Sequence, residues 1–275
     1  MFVHDTALIP LSYPVFMSIL AAERQQQILE RLGRDGRVVA TALAEAFATS
    51  EDTIRRDLRD LAGRGLCRRV YGGALPVSPA SRSAQIRAGE ATDRKAALGR
   101  ALATLVASDS LLFVDSGSTN LAAVKAFPDD LRLTVATHDP AIAAALLAKP
   151  QITLWLIGGR VSREIGAAVG GRTLADVEAL RPELAFLGVC ALDPLEGIGA
   201  FDPEDAEIKR ALLRNSGRLA AAVLNEKLET GASFAVGRAE SLESVVLEAD
   251  APESVARAFA ERGMNVLRAE PPEAR

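Results

Sequence analysis

Two groups of residues have types and spacings that carry chemistry. The first is the run Ser50-Glu51-Asp52-Thr53-Ile54-Arg55-Arg56-Asp57-Leu58-Arg59. At the helical period of about 100° per residue, Ile54, Leu58 and Leu61 share one face, and Arg55, Arg56 and Arg59 share the other, with Asp52 among them. One face packs inward while the other presents three guanidiniums, whose planar forks suit guanine edges and phosphates. The second group is Asp115-Ser116-Gly117-Ser118-Thr119-Asn120, which follows the apolar run Leu111–Val114 and opens a helical pattern. A strand, a short Gly/Ser/Thr loop and a helix start together present backbone N–H groups and hydroxyls to an anion. Asp205 and Lys209, four residues apart, fall on one helix face. Two readings of that pair stand: contacts to ligand hydroxyls and a phosphate, or an exposed i,i+4 ion pair.

These groups need elements to position them. Ile28, Leu29 and Leu32 recur at helical spacing until Gly33 and Gly36. Val38-Val39 reads as a short extended piece, and Thr41 as the cap of a second helix over residues 42–47. After a tight turn at Ala48-Thr49, Ser50 caps the arginine-bearing helix, with Glu51 and Asp52 placed favourably in its first turn. Residues 66–70 and 71–75 then form two extended runs around Gly72-Gly73, a hairpin. Taken alone, the basic helix reads equally as a solvated face paired with Glu51, Asp52, Asp57 and Asp60. The short helix before it and the hairpin after it favour DNA, with Arg68 and Arg69 of the hairpin set against phosphates.

Beyond a Pro- and Ser-containing linker at 77–94 the texture changes. Apolar runs at 111–114, 131–136, 152–157, 184–189, 219–224 and 245–247 alternate with helical patterns at 95–107, 119–126, 140–148, 172–180, 204–216 and 252–262. That order predicts a mostly parallel sheet covered on both faces. Trp155, mid-strand, is expected in the core, Cys67 as a small buried residue, and His138 as a loop histidine.

The chain has 275 residues, enough for two domains, and a net charge of −4. Residues 22–76 hold ten Arg against eight acidic residues, a net of +2, so the remainder carries −6. A mildly basic head on an acidic body excludes a sequence-blind nucleic-acid coat. Two Cys and two His, widely separated, have no metal or disulfide spacing and fit a reducing cytoplasm. Residues 1–20 are apolar but carry Pro10 and Pro14 and lack a basic start, which disfavours a signal peptide. They read as a tail, with translation expected from Met17. No apolar run reaches membrane-spanning length.

The stretch ATSEDTIRRDLRDLAGRG followed by CRRVYGGAL resembles the DeoR family of bacterial transcriptional repressors. The carrying residues are Ser50, Thr53, Ile54, Arg55, Arg56, Asp57 and Leu58, then Arg69, Gly72 and Gly73. The resemblance continues to about residue 250. It implies a C-terminal domain similar to ribose-5-phosphate isomerase that senses a phosphorylated sugar or polyol. The family's ligand-loop positions match Asp115, Ser116, Gly117, Ser118 and Thr119, with Gly158-Gly159 and then Gly199, Phe201, Asp202, Asp205 and Lys209. Near 224 the family's Asp-His-Ser-Lys-Phe-like run is replaced by Leu224-Asn225-Glu226-Lys227-Leu228, which keeps only Lys227. This departure implies an uncommon ligand or a weakened sensor.

The expected architecture is α/β: a tail at 1–20, a winged helix-turn-helix at 21–76, a linker at 77–94, and a Rossmann-like effector domain at 95–270. The expected function is a sequence-specific repressor of carbohydrate-metabolism genes, released from operator DNA by a phosphorylated sugar or polyol. It would act as a homo-oligomer, dimer or tetramer, in the cytoplasm, with no cofactor, metal or membrane. The alternative is a sugar-phosphate isomerase carrying a DNA-binding head, with Asp115, Asp202 or Asp205 as the carboxylate base.

Overall fold

The computed structural model describes residues 20–81 and 83–271. The expectations for residues 1–19, including a start at Met17, lie outside the described residues.

The head begins with α1 (Ala21–Asp35), which ends at Gly36 in the left-handed conformation (φ +72°). The strand β1 (Val38–Val39) leads straight into α2 (Ala40–Ala46). Thr41, expected as the cap of this helix, is instead inside its first turn and exposed. Val39 is the N-cap and has no side-chain cap bond; the first turn is tied instead by Ala40 N–H donating to Gly72 O at 2.7 Å. α3 (Glu51–Gly63) starts at Ser50, whose Oγ accepts from Thr53 N–H at 3.2 Å, so this cap is as expected. The wing is β2 (Arg68–Val70) and β3 (Gly73–Leu75), with β1 pairing on the far side of β3. Its two glycines do different things. Gly72 takes φ +82° in the turn, and a Cβ on Gly73 would lie 1.9 Å from Val38 O. Ile28, Leu32, Leu43, Ile54, Leu58, Leu61 and Cys67 pack into the head's core.

The described residues of 77–94, expected as a linker, are structured and packed. They hold a 3₁₀ turn (Pro79–Ser81), α4 (Ala84–Ala88) and the start of α5 (Thr92–Ala103). Polar and small residues made this stretch read as a connector, yet Ser78 is fully buried and Val77 bridges to Gly231.

The sensor domain then alternates as expected: β4 (Leu111–Val114), α6 (Ser118–Lys125), β5 (Leu133–Thr137), α7 (Pro140–Leu146) and β6 (Ile152–Leu156). A hairpin of β7 (Arg160–Ser162) and β8 (Ala167–Val169) precedes α8 (Gly171–Glu178) and β9 (Leu184–Phe186). Next come β10 (Ala191–Asp193), β11 (Gly197–Ala200), α9 (Pro203–Asn215) and β12 (Arg218–Val223). The chain closes with β13 (Phe234–Gly237), β14 (Ser244–Leu247), α10 (Glu253–Ala260) and β15 (Asn265–Arg268).

Seven of these strands form one parallel sheet in the order β15-β14-β12-β9-β4-β5-β6. Along β4, Phe113 enters one core and Leu112 and Val114 the opposite one, so both faces are covered, as buried parallel strands require. A smaller antiparallel sheet, β10-β11-β13, lies beside it. Trp155, expected in the core, is 52% exposed, because β6 is the edge strand and the layer over Ala136, its partner in register, ends there. The chain builds the sheet outward from β4, first to β5 and β6, then back past β4 to β9, β12, β14 and β15. The reversal between β4 and β9 is a topological switch point, and its crevice opens at the carboxyl ends of those strands.

Candidate nucleic-acid interface and effector cleft

On α3, Arg55, Arg56 and Arg59 are exposed, while Ile54, Leu58 and Leu61 are buried. Two of the guanidiniums have local partners: Arg55 meets Glu51 at 2.7 Å and Arg56 meets Asp52 at 2.8 Å. Exposed i,i+4 pairs contribute only about 0.3–0.5 kcal/mol. A bidentate base contact discriminates by roughly 1–3 kcal/mol, more than either pair contributes. Asp57, expected as a surface partner, is buried. Its carboxylate accepts from Arg24 Nε at 2.5 Å and from Gln25 Nε2 at 3.1 Å, which fastens α3 to α1. That bond leaves the arginine face free to vary without loosening the helix.

Arg68 and Arg69 are neighbours on β2 and therefore point to opposite faces. Arg69 lines the groove between α3 and the wing together with Thr41, Arg55 and Tyr71. Arg68, expected beside it, turns the other way and donates from Nη2 to Ser233 O of the sensor domain at 3.0 Å. Tyr71, at the wing's turn, is fully exposed.

The second site lies in the crevice between β4 and β9. Its walls are Ser116–Asn120, Leu187–Cys190, Phe201, Asp202, Asp205, Lys209 and Lys227, with Ala80, Arg87 and Glu164 contributed across the mouth. Helical bonding in α6 begins with Leu121 N–H donating to Gly117 O, so the N–H groups of Ser118, Thr119 and Asn120 have no intrahelical acceptor. Gly117 has φ +145°, a conformation that favours glycine, although a Cβ there would meet nothing within 4 Å. Asn120 holds the turn from below, its Nδ2 donating to Asp115 O at 2.9 Å and Phe186 O at 3.2 Å.

Asp115 is not a wall of the cleft but its foundation, fully buried beneath the loop. One carboxylate oxygen accepts from Ser116 N–H at 2.8 Å and from His138 Nε2 at 2.9 Å; the other accepts from Gly188 N–H at 2.8 Å and lies 3.0 Å from Lys209 Nζ. Lys209 also donates to Asp205, one turn away. Lys209 and Asp205 are both buried, so the reading of an exposed pair does not hold. Burial pushes the Asp115 carboxyl up, but the Lys209 ammonium and the His138 imidazole outweigh it and hold the group well below the usual carboxylate range. Burial likewise opposes charge on Lys209, and the carboxylates of Asp115 and Asp205 overcome it, raising its pKa. Asp205 moves the other way: burial raises its pKa, and its share of the one ammonium does not compensate.

His138, expected as a loop residue, is fully buried, with Nδ1 2.7 Å from Ala168 O and Nε2 facing Asp115. Both ring nitrogens lie beside oxygens, and Ser116 N–H also lies 3.3 Å from Nε2. Its pKa is raised, the Asp115 bond prevailing over burial.

Lys227 is the cation best placed for a ligand. It lines the cleft, and its ammonium donates to a single neutral carbonyl, Val189 O, at 2.8 Å. Burial lowers its pKa to about 8. Asp202 lines the cleft but also caps α9, accepting from Glu204 and Asp205 N–H at 2.8 and 3.1 Å. Gly158 and Gly159 stand away from the cleft. Gly158 O accepts from Thr173 Oγ1, and a Cβ on Gly159 would meet that oxygen at 2.1 Å, so these glycines serve the turn before β7. Sequence reasoning missed Arg87, His138, Glu164 and Gly188 as parts of the site, while Asn120 was named only as a member of the loop run. The missed residues reach the site from distant segments.

Comparison with known proteins joins the two sites. Residues 24–80 match the DeoR-like helix-turn-helix domain and residues 90–249 the DeoR C terminal sensor domain. The glycerol-3-phosphate regulon repressor of Escherichia coli is 30% identical over 234 residues, covering 85% of this chain and 93% of that protein. The transcriptional regulator GolR of Listeria innocua is 26% identical over 250 residues, covering 90% and 98%. Among solved structures, a probable sor operon regulator from Shigella flexneri aligns with a TM-score of 0.41 at 11% identity, covering 60% of this chain and 87% of that one.

Two outcomes follow from the geometry. Arg56→Ala should weaken binding to a cognate duplex by roughly 1–3 kcal/mol, and Arg69→Ala should flatten the salt dependence by about one counterion. Arg68→Ala should leave that slope unchanged; a slope lowered as much by Arg68→Ala as by Arg69→Ala would place Arg68 on the DNA. At the cleft, an anion needs Lys227 protonated. Phosphate is already a dianion above about pH 7, so its affinity should fall as pH rises through about 8, by up to about tenfold per unit. In Lys227→Arg the guanidinium keeps its charge and calorimetry should show a flat profile; a wild-type profile flat to about pH 9.5 would remove Lys227 from the site.

Proposed function

Because the chain belongs to the DeoR family of transcriptional regulators, we propose that its cleft senses a phosphorylated sugar or polyol and that occupancy releases the head from operator DNA. The observation that carries this reading is the pairing of unbonded α6 amides with the Lys227 ammonium across one solvent-open cleft. Helix amides and their dipole hold a phosphate. The carboxylates of Asp202 and Glu164, which also line the cleft, repel a second anion and accept bonds from hydroxyls. A ligand with one phosphate and several hydroxyls matches both.

The same layout weighs against an isomerase. Asp115 is fully buried and spends both oxygens on Ser116, His138, Gly188 and Lys209. Asp202 is engaged as a helix cap. Asp205 is buried beside Lys209. A general base must reach a substrate proton; Asp115 and Asp205 are buried in other bonds, and Asp202 spends Oδ1 on capping α9. We therefore read the protein as a repressor and not an enzyme, acting in the cytoplasm as a dimer or tetramer on symmetric sites.

The test is release of a fluorescent cognate duplex from the full-length protein by a panel of triose, pentose and hexose phosphates and polyol phosphates. At least one member should raise the duplex Kd tenfold or more, an allosteric coupling of about 1.4 kcal/mol. Gly117→Val forces a β-branched residue to φ +145° and distorts the loop that carries the amides. This variant should still bind the duplex but no longer be released. If Gly117→Val responds as the wild type does, or if the panel is turned over without affecting the duplex, the reading is wrong.

A further inference from the structure

The head is not hung from the sensor domain by a loose tether. Arg37, in the corner between α1 and β1, reaches across and places Nη2 2.9 Å from each carboxylate oxygen of Asp193. Asp193 ends β10, its side chain is buried, and one oxygen also accepts from Leu195 and Glu196 N–H at 2.8 Å, closing the turn into β11. It therefore cannot follow the head without remaking its own turn. Three residues upstream is Cys190, a wall of the cleft whose carbonyl accepts from the buried Ser78 Oγ. Beside it Val189 O accepts from Lys227. Main-chain bonds from Gly231 N–H to Pro76 O (3.0 Å) and from Ser78 N–H to Gly231 O (3.3 Å) clamp the exit from the wing.

We propose that the Arg37–Asp193 ion pair is the positioning contact through which the cleft wall at Leu187–Cys190 and the orientation of the DNA-binding head are coupled. An anion that draws Lys227 away from Val189 O disturbs the segment running directly into β10, and β10 ends on the ion pair with Arg37 of the head. Coupling needs a contact whose state both sites bias, and this pair lies between them. The proposal rests on the effector reading above but is tested without any effector.

Coupling is reciprocal: if the cleft moves the head, DNA on the head must alter the cleft. Cys190 is a reporter already in the cleft wall, a free thiol that lines it. The experiment follows iodoacetamide alkylation of Cys190 in the full-length protein by peptide mass spectrometry, at about pH 8.5 because burial raises this thiol's pKa. Rates are compared with and without a saturating duplex recovered by in vitro selection on the wild-type protein. The duplex should change the wild-type rate by about threefold or more, and in Arg37→Gln and Asp193→Asn the ratio should fall to within about 1.5-fold. Asn at 193 keeps an oxygen for the turn bonds, so loss there is not loss of the hairpin. Arg37→Lys, which retains the charge, should recover part of the ratio. An unchanged ratio in both variants, or no effect of the duplex on the wild type, overturns the proposal. Failure of every sugar phosphate to release the duplex, with the alkylation ratios as stated, overturns the effector reading alone.

Discussion

A single buried carboxylate, that of Asp115, holds together the parts of the sensor domain that make it a sensor. It follows β4, receives His138 from the end of β5, Gly188 N–H from the end of β9 and Lys209 from α9. Four segments that meet nowhere else in sequence converge on its two oxygens. The geometry leaves little tolerance: a Cβ on Gly188 would lie 2.1 Å from Ser116 O. An ammonium, an imidazole, a second carboxylate and two amides gather around a fully buried group, so its oxygens are satisfied. Removing one partner of such an arrangement costs about 3–5 kcal/mol, because the charges left behind are unpaired in a poor solvent. The loop above inherits this rigidity, and rigid amides bind an anion without first being ordered.

The head follows the opposite logic. Its arginine face carries exposed guanidiniums in weak local pairs, while the helix is fixed from below, through the bond between Asp57 and Arg24 and the apolar seam of Ile54, Leu58 and Leu61. Strong interactions are spent where the fold must not change, and weak ones are left where a partner must be exchanged. Arg37 and Arg68 extend this division, because both are arginines of the basic head that face the sensor domain.

Much of this was legible in the sequence, and the failures have a common cause. Periodicity located α3, its Ser50 cap, the glycine wing and the parallel strands β4, β5, β6, β9, β12 and β14, since each is a local pattern; it did not locate the short strands β8, β10, β11 and β13. The loop at Asp115–Thr119 was legible because strand, glycine and helix start are contiguous. What was not legible depends on partners far away in the chain. Asp57 looks like a surface acid until Arg24 and Gln25 of α1 are brought over it. His138 looks like a loop residue until Asp115 and Ala168 bracket it. Arg68 and Arg69 look alike until the pleat sends them to opposite faces. Trp155 reads as core because a sequence does not announce which strand of a sheet is the edge. Residues 77–94 read as a linker because Pro and Ser are common in linkers, whereas here Ser78 is a buried fastening point.

If an anion is captured by the amides that open α6, over the Asp115 foundation, the resonances of those amides must report it. Amide chemical shifts of the full-length protein, followed while sn-glycerol 3-phosphate and then hexose phosphates are added, test it residue by residue. The largest changes should fall on Ser118, Thr119 and Asn120, with smaller ones at Gly188 through Cys190. Saturable changes that leave residues 117–120 untouched and map to another surface would contradict the account.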